Sequence, residues 1–255
     1  MTTTPVAGQP CWIELFTPDS DAAADFYGAL FGWTATPAQE EFGGYRMFLR
    51  GDQPIAGLMA NDGSAGSPSA WSVYLASDDV SATADKARAA GGTVVAEPMP
   101  VGDLGHMVVL LDPAGALIGG WQPGTFPGFI TRNEVGAPAW FETLSKQYDA
   151  VVPFYRDVFG WDTHTMSDVP EFRYTTLGQD ENAQAGIMDG TTFLGDQPSR
   201  WQFYIQVEDT DATTAQAVEL GATLLQPVDD TPYGRLGMLQ DPAGVLFLLM
   251  GPTRD

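Results

Sequence analysis

The chain has 255 residues and a net charge of −22, from 33 acidic residues against 11 basic ones. That field excludes nucleic acid and anionic membrane surfaces as partners, and no apolar run approaches the roughly 20 residues needed to span a bilayer. The single cysteine, Cys11, cannot form an internal disulfide, and the opening "MTTTPVAGQP" has neither the basic nor the apolar part of a secretory leader, so a cytoplasmic protein is expected.

In chain order, "CWIELFT" at 11–17 alternates and reads as a strand. "DSDAAADFYGALFGW" follows with Ala22, Phe26, Ala29, Leu30 and Trp33 at helical spacing, and Asp19 or Ser20 is placed to cap it. "YRMFLR" and "IAGLMA" read as short strands, before a loop rich in Gly and Ser. The pattern then restarts with strand "SVYLAS", helix "VSATADKARAAGG", strand "TVVAEP" and the hairpin "HMVVLLDPAGALIGGW". In the hairpin, Pro113 presets φ for the second position and Gly115 closes a type I turn opened by Asp112.

The same phrases return. "FYGALFGW" at 26–33 recurs as "FYRDVFGW" at 154–161, "AGLM" at 56–59 as "AGIM" at 185–188, "WSVYLASDD" at 71–79 as "WQFYIQVED" at 201–209, and DPAG at 112–115 again at 241–244. Four blocks in one order at nearly one spacing identify a tandem duplication, each copy large enough for its own core. The expected boundaries are a first domain at 1–124, a linker at 125–137 and a second domain at 138–255. Each domain comprises two units with one helix and several strands, giving an α+β architecture with four units in all.

This arrangement resembles the vicinal oxygen chelate superfamily, which includes glyoxalase I, bleomycin-resistance proteins and extradiol dioxygenases. The resemblance rests on "WIELFTPDSDAAADFYGALFGW", the "YLASDDV" junction and "LLDPAGALIGGW", each with its second copy, and covers nearly the whole chain. It is similar, more narrowly, to tandem-domain actinobacterial members known as mycobacterial antigens, glyoxalase-like proteins or antibiotic-pathway hydroxylases. The resemblance implies four βαβββ modules, each domain a curved mixed sheet enclosing a cavity with the helices outside. It also implies metal-ligand positions, which fall on Trp12, Ser72 and Gly119 in the first domain and on Trp140, Gln202 and Leu248 in the second. None of these is His, Asp or Glu, and the two histidines, His106 and His164, lie on different domains. No cofactor is therefore expected, and a catalytic transition metal is disfavoured.

Alternation puts Trp12, Glu14 and Phe16 on one side of the first strand, and Trp140, Glu142 and Leu144 on the matching side later. If the tryptophans mark the pocket face, each domain aims a carboxylate into a partly apolar pocket, a setting for general acid–base work. The competing reading pairs each glutamate with Arg46 or Arg173 to fix the sheet. Tyr74 shares a side with Ser72, and Tyr204 with Gln202; each can donate to a ligand oxygen or simply serve the core. Met59 and Met188 read as packing, and Trp121 closes the first pocket beside Gly119 and Gly120. His106 before one hairpin is a candidate acid or base, and Arg235 before the other a candidate anion holder, against a solvent-facing role for both.

The expected function is a metal-independent hydroxylase-like, lyase or isomerase activity on a small carbonyl or aromatic metabolite. In that reading Glu14, Glu142, His106 and Tyr74 are catalytic, and Trp12, Ser72, Trp121, Trp140, Gln202, Tyr204 and Arg235 bind the ligand. One alternative is sequestration of a planar small molecule without catalysis. Another is a glyoxalase activity on a 2-oxoaldehyde, which the missing ligands disfavour. The duplication supplies within one chain the pairing that single-domain relatives obtain by dimerising, so a monomer is expected, with a homodimer as the alternative.

Overall fold

In the computed structural model, which describes residues 5–61, 63, 69–129 and 131–254, DPAG closes a hairpin in both places. The Gly115 N–H donates to the Asp112 carbonyl at 2.9 Å, and Gly244 repeats this with Asp241 at 2.8 Å. The Asp112 Oδ1 also accepts from the backbone of Ala114 and Ala116, so the side chain holds its own turn together. The Gly- and Ser-rich loop expected after "IAGLMA" lies largely outside the described residues.

The chain is four βαβββ modules in succession. The first is β1 (Pro10–Thr17), α1 (Ser20–Phe31), β2 (Thr34–Ala35), β3 (Arg46–Arg50) and β4 (Gln53–Ala60); the second is β5 (Ala70–Ala76), α2 (Val80–Ala89), β6 (Thr93–Val101), β7 (Gly105–Leu111) and β8 (Leu117–Pro123). The third is β9 (Pro138–Ser145), α3 (Tyr148–Phe159), β10 (Thr163–Val169), β11 (Phe172–Leu177) and β12 (Ala185–Asp189); the fourth is β13 (Arg200–Gln206), α4 (Thr210–Glu219), β14 (Thr223–Thr231), β15 (Gly234–Gln240) and β16 (Leu246–Gly251). They form two mixed eight-stranded sheets, ordered β2-β3-β4-β1-β5-β8-β7-β6 and β10-β11-β12-β9-β13-β16-β15-β14.

The helix boundaries have local causes. Asp19 caps α1 by accepting from the N–H groups of Asp21 and Ala22, and Asp79 does the same for α2 with Ser81 and Ala82. The glycine of each F-G-W phrase ends its helix in the left-handed region, Gly32 at φ 70° and Gly160 at φ 71°. The tryptophan that follows is buried and tied by its indole N–H, Trp33 to the Gly136 carbonyl and Trp161 to the Gly8 carbonyl.

By contacts the chain divides into two compact units. One contains Met1–Trp12, Ser72–Gly128 and Phe141–Gln202; its α2 packs on α3. The other contains Ile13–Trp71, Phe129–Trp140 and Phe203–Asp255; its α1 packs on α4. Each unit is therefore built around helices from both repeats.

The repeated motifs meet inside these units in a way that the sequence pattern does not reveal. In one unit the Trp201 indole N–H donates to the Tyr155 hydroxyl at 2.7 Å, which donates to Asp112 Oδ2 at 3.1 Å. In the other, Trp71 donates to Tyr27 at 3.1 Å and Tyr27 to Asp241 Oδ2 at 3.0 Å. The helix tyrosine of each repeat is thus bonded to the turn aspartate of the other. Burial pushes both tyrosine hydroxyls well above the usual phenol range, with the neighbouring carboxylate adding to the shift. Burial likewise raises Asp112 and Asp241, against the lowering effect of their donors.

Candidate functional site

Strand alternation divides each sheet into a face covered by helices and, among the described residues, a face free of them. In the second module the helix-covered face is marked by Gly120, where an added Cβ would meet Val108 at 2.8 Å and Thr83 of α2 at 3.8 Å. Its neighbours Gly119 and Trp121 therefore point to the other face. Gly119 is opposite Val109 and Trp121 opposite Met107 across the β7–β8 pairing. In the third module Thr175 meets Tyr148 of α3 through their hydroxyls, which places Thr175 on the helix side and Tyr174 on the free side.

Glu142 lies on that free face of β9, only 6 % exposed. Its Oε2 accepts from the Tyr174 hydroxyl at 2.8 Å, and its Oε1 accepts from the Gln202 side-chain amide at 2.9 Å. Both carboxylate oxygens thus have donors, which a buried carboxylate requires if its burial is not to cost several kcal/mol. Gly186 is the β12 partner of Glu142. A Cβ at Gly186 would fall 2.0 Å from the Tyr174 hydroxyl oxygen, so only glycine lets that side chain cross β12 to reach β9. Phe172 stacks on the Tyr174 ring with centroids 5.5 Å apart and planes 15° apart.

The first repeat places Glu14 on β1 beside Gly57, buried to 8 % exposure. Ser72, Tyr74 and Trp121 are buried on or beside the strands β5 and β8. The Tyr74 ring lies directly over Gly119, where a Cβ would come within 2.1 Å of Cδ1. Trp12 meets Phe126 edge-on with centroids 4.9 Å apart, and the Trp121 indole donates to the Phe126 carbonyl at 2.9 Å. The segment carrying Phe126 is anchored by the N–H groups of Gly124 and Phe126, both donating to the Leu104 carbonyl. In the second repeat Tyr204 is buried opposite Leu248, and Trp140 is half-buried on β9.

Two expected site residues lie on the helix-covered side. His106 is exposed and opposite Gln122, whose side chain accepts from the first N–H of α2. It therefore shares the helix-covered face with Val108 and is turned away from Tyr74. Arg235 is opposite Gly251 and is held by Asp211 in the first turn of α4 and by Asp230, the latter at 2.9 Å. Its guanidinium fork is engaged in ion pairs with Asp211 and Asp230, which tie β15 to α4 and to β14. The supposed partners of the glutamates are also on the helix side: Arg46 pairs with Asp21 at 2.7 Å, and Arg173 with Asp149 at 2.6 Å and Asp168 at 2.7 Å. His164 lies beside Asp162 at 3.0 Å.

Tyr174 was not anticipated. Its signal is the glycine of "AGIM" in a strand interior, which indicates close approach by another group, but identifying that group requires the strand register.

The positions where the resemblance places metal ligands do not fit a metal. A ring fills the space above Gly119, Leu248 offers no donor, and the Gln202 amide N–H₂ is turned to Glu142. Among the described residues no group of three or more His, Cys, Asp or Glu is arranged to hold an ion. Nor, among them, is any helix long and apolar enough to cross a membrane.

Comparison with known proteins matches residues 10–119 to the model described as Glyoxalase/Bleomycin resistance protein/Dioxygenase superfamily, and residues 142–250 to the one described as Glyoxalase-like domain. The chain is 33 % identical over 251 residues to "Putative glyoxylase CFP32" of Mycobacterium tuberculosis (strain CDC 1551 / Oshkosh), covering 96 % of this chain and 95 % of that protein. It is 32 % identical over 269 residues to "Anthracycline biosynthesis protein DnrV" of Streptomyces peucetius, covering 94 % and 92 %. Among solved structures, the Mn(II)-bound glyoxalase from Novosphingobium aromaticivorans superposes with a TM-score of 0.66 at 16 % identity, over 97 % of this chain and 83 % of that one. That last likeness concerns the fold alone.

Proposed function

Because this chain belongs to the Glyoxalase/Bleomycin resistance protein/Dioxygenase superfamily, we propose that it acts without a metal on a small carbonyl or aromatic metabolite, with Glu142 as acid or base. The observation that carries this reading is the Glu142 carboxylate, buried on the helix-free face and aimed by two neutral donors. A carboxylate so held stands ready to take a proton from a bound ligand and return it, the work of a hydroxylase-like enzyme, a lyase or an isomerase. The mismatch between the donor set and an ion supports metal independence, and it weighs against glyoxalase chemistry of the metal-bound kind. The names of the relatives, one a glyoxylase and one a protein of anthracycline biosynthesis, agree with a carbonyl or aromatic ligand.

A second reading, sequestration of a planar molecule without turnover, draws on the aromatic lining of the first repeat, where Trp12 and Trp121 lie against Phe126. The two readings separate in one experiment. A thermal-shift screen over 2-oxoaldehydes, quinones and polycyclic aromatic ketones identifies ligands that the folded state holds. Glu142→Gln should then keep the ligand-induced shift and lose turnover. A wild-type protein that binds such a ligand and never transforms it supports sequestration instead.

A further inference from the structure

A carboxylate that moves protons must be held in one orientation, and the groups that hold Glu142 come from unequal distances. Gln202 reaches it from β13, the strand beside β9. Tyr174 reaches it from β11, with the whole of β12 between them. That crossing depends on Gly186, whose missing side chain leaves room for the phenol: a Cβ there would meet the hydroxyl at 2.0 Å and Cζ at 2.3 Å. Phe172 stacks on the ring, and Tyr174 itself is only 6 % exposed. The hydroxyl has a single proton, and it points at Glu142 Oε2.

We infer that Tyr174, seated on Gly186, is the positioning residue through which the second repeat presents Glu142 to its ligand. This rests on the reading that Glu142 transfers protons. Tyr174 gives up no proton in the step. It fixes where the accepting oxygen lies, and Gly186 is part of the device because it provides the path. A merely structural tyrosine, once replaced, costs stability and leaves the exchange rate of the folded protein unchanged; a positioning one lowers that rate whatever its cost in stability.

The test is exchange of α-protons in D₂O, followed by proton NMR, with 2-tetralone and hydroxyacetone as enolisable probes. In each exchange a C–H bond breaks, its proton passes to a Glu142 oxygen, and its electron pair enters the enolate. The Glu142 carboxylic acid exchanges that proton for a deuteron of D₂O, leaving HOD, and delivers the deuteron to the enolate carbon, which restores the carboxylate. Tyr174→Phe keeps the ring and removes the donor. It should lower the saturated exchange rate at least tenfold while the half-saturation concentration stays within twofold. Gly186→Ala keeps the hydroxyl and denies it its seat, and it should act in the same direction. The double variant should be no slower than the slower single one, because both remove the same contact.

Full-rate exchange in Tyr174→Phe, or multiplicative losses in the double variant, would overturn the positioning role alone. Loss of probe affinity in step with loss of rate would assign Tyr174 to the shape of the site and not to the carboxylate, and Gly186→Ala decides the matter if Tyr174→Phe does not fold. Failure of the wild type to exchange either probe would count against proton transfer by Glu142 itself, and the positioning role would fall with it.

Discussion

Replacing Tyr155 by Phe deletes one oxygen from the buried chain Trp201–Tyr155–Asp112 and leaves two groups without that partner. A hydrogen bond to a charged group contributes about 1.5–3 kcal/mol, and a buried donor left unmade costs about 1–3 kcal/mol. Asp112 keeps two backbone donors on its other oxygen, so the lower part of each range applies and the sum is about 3 kcal/mol. For a chain of this length that corresponds to a fall in Tm of about 6–12 °C.

The effect should depend on pH in a definite direction. Burial raises Asp112 above its ordinary range, so its contribution to stability is full below the unfolded value and is lost as pH rises through the folded one. The Tyr155 hydroxyl opposes that rise, and removing it widens the loss. Tyr155→Phe should therefore be more destabilising at pH 7 than at pH 4, as read from urea unfolding at both values. Tyr27→Phe should behave alike through Asp241. A fall in Tm below about 2 °C, or equal penalties at the two pH values, would refute the idea that these chains stabilise the units.

Other expectations follow from the same geometry. Tyr27 and Tyr155 titrate well above the usual phenol value, so the folded state loses stability as pH climbs past about 10, where the unfolded phenols ionise. The double Phe variant should flatten that alkaline decline in denaturant midpoints; an unchanged slope contradicts the assignment. Gly119→Ala places a Cβ 2.1 Å from the Tyr74 ring and should destabilise by about 1–3 kcal/mol, relieved when Tyr74→Ala is added. Gly119→Glu, which puts a carboxylate at a position where the resemblance places a metal ligand, should not raise the Mn²⁺ or Zn²⁺ content of the purified protein above wild type. Stoichiometric metal in that variant would show that the Tyr74 ring does not block the position.

The duplication, the modules and the turns were legible because each rests on local chemistry. Asp19 caps α1 from one residue away, and DPAG closes on itself within four residues. The burial of Glu14 and Glu142 was legible too, because each shares its side of an apolar strand with a tryptophan two residues earlier. Faces failed where alternation fails: β7 reads "GHMVVLL", apolar on both sides, so nothing local shows that His106 lies with Val108 and away from Val109. The Asp211 partner of Arg235 stands 24 residues away in sequence, and nothing local to the hairpin indicates it. The Tyr27–Asp241 bond spans 214 residues and Tyr174–Glu142 spans 32, and such pairings depend on which strands become neighbours. A strand-interior glycine announces that something comes close without saying what.

Proton transfer by Glu142, with no metal in the step, is the central proposal. The most direct measurement is α-proton exchange of 2-tetralone by wild type and Glu142→Gln, each assayed with and without an excess of EDTA. Wild-type exchange that survives the chelator and disappears in Glu142→Gln, with 2-tetralone still bound, is the predicted result. Exchange that dies with EDTA and returns on adding Mn²⁺, or that persists in Glu142→Gln, would contradict it.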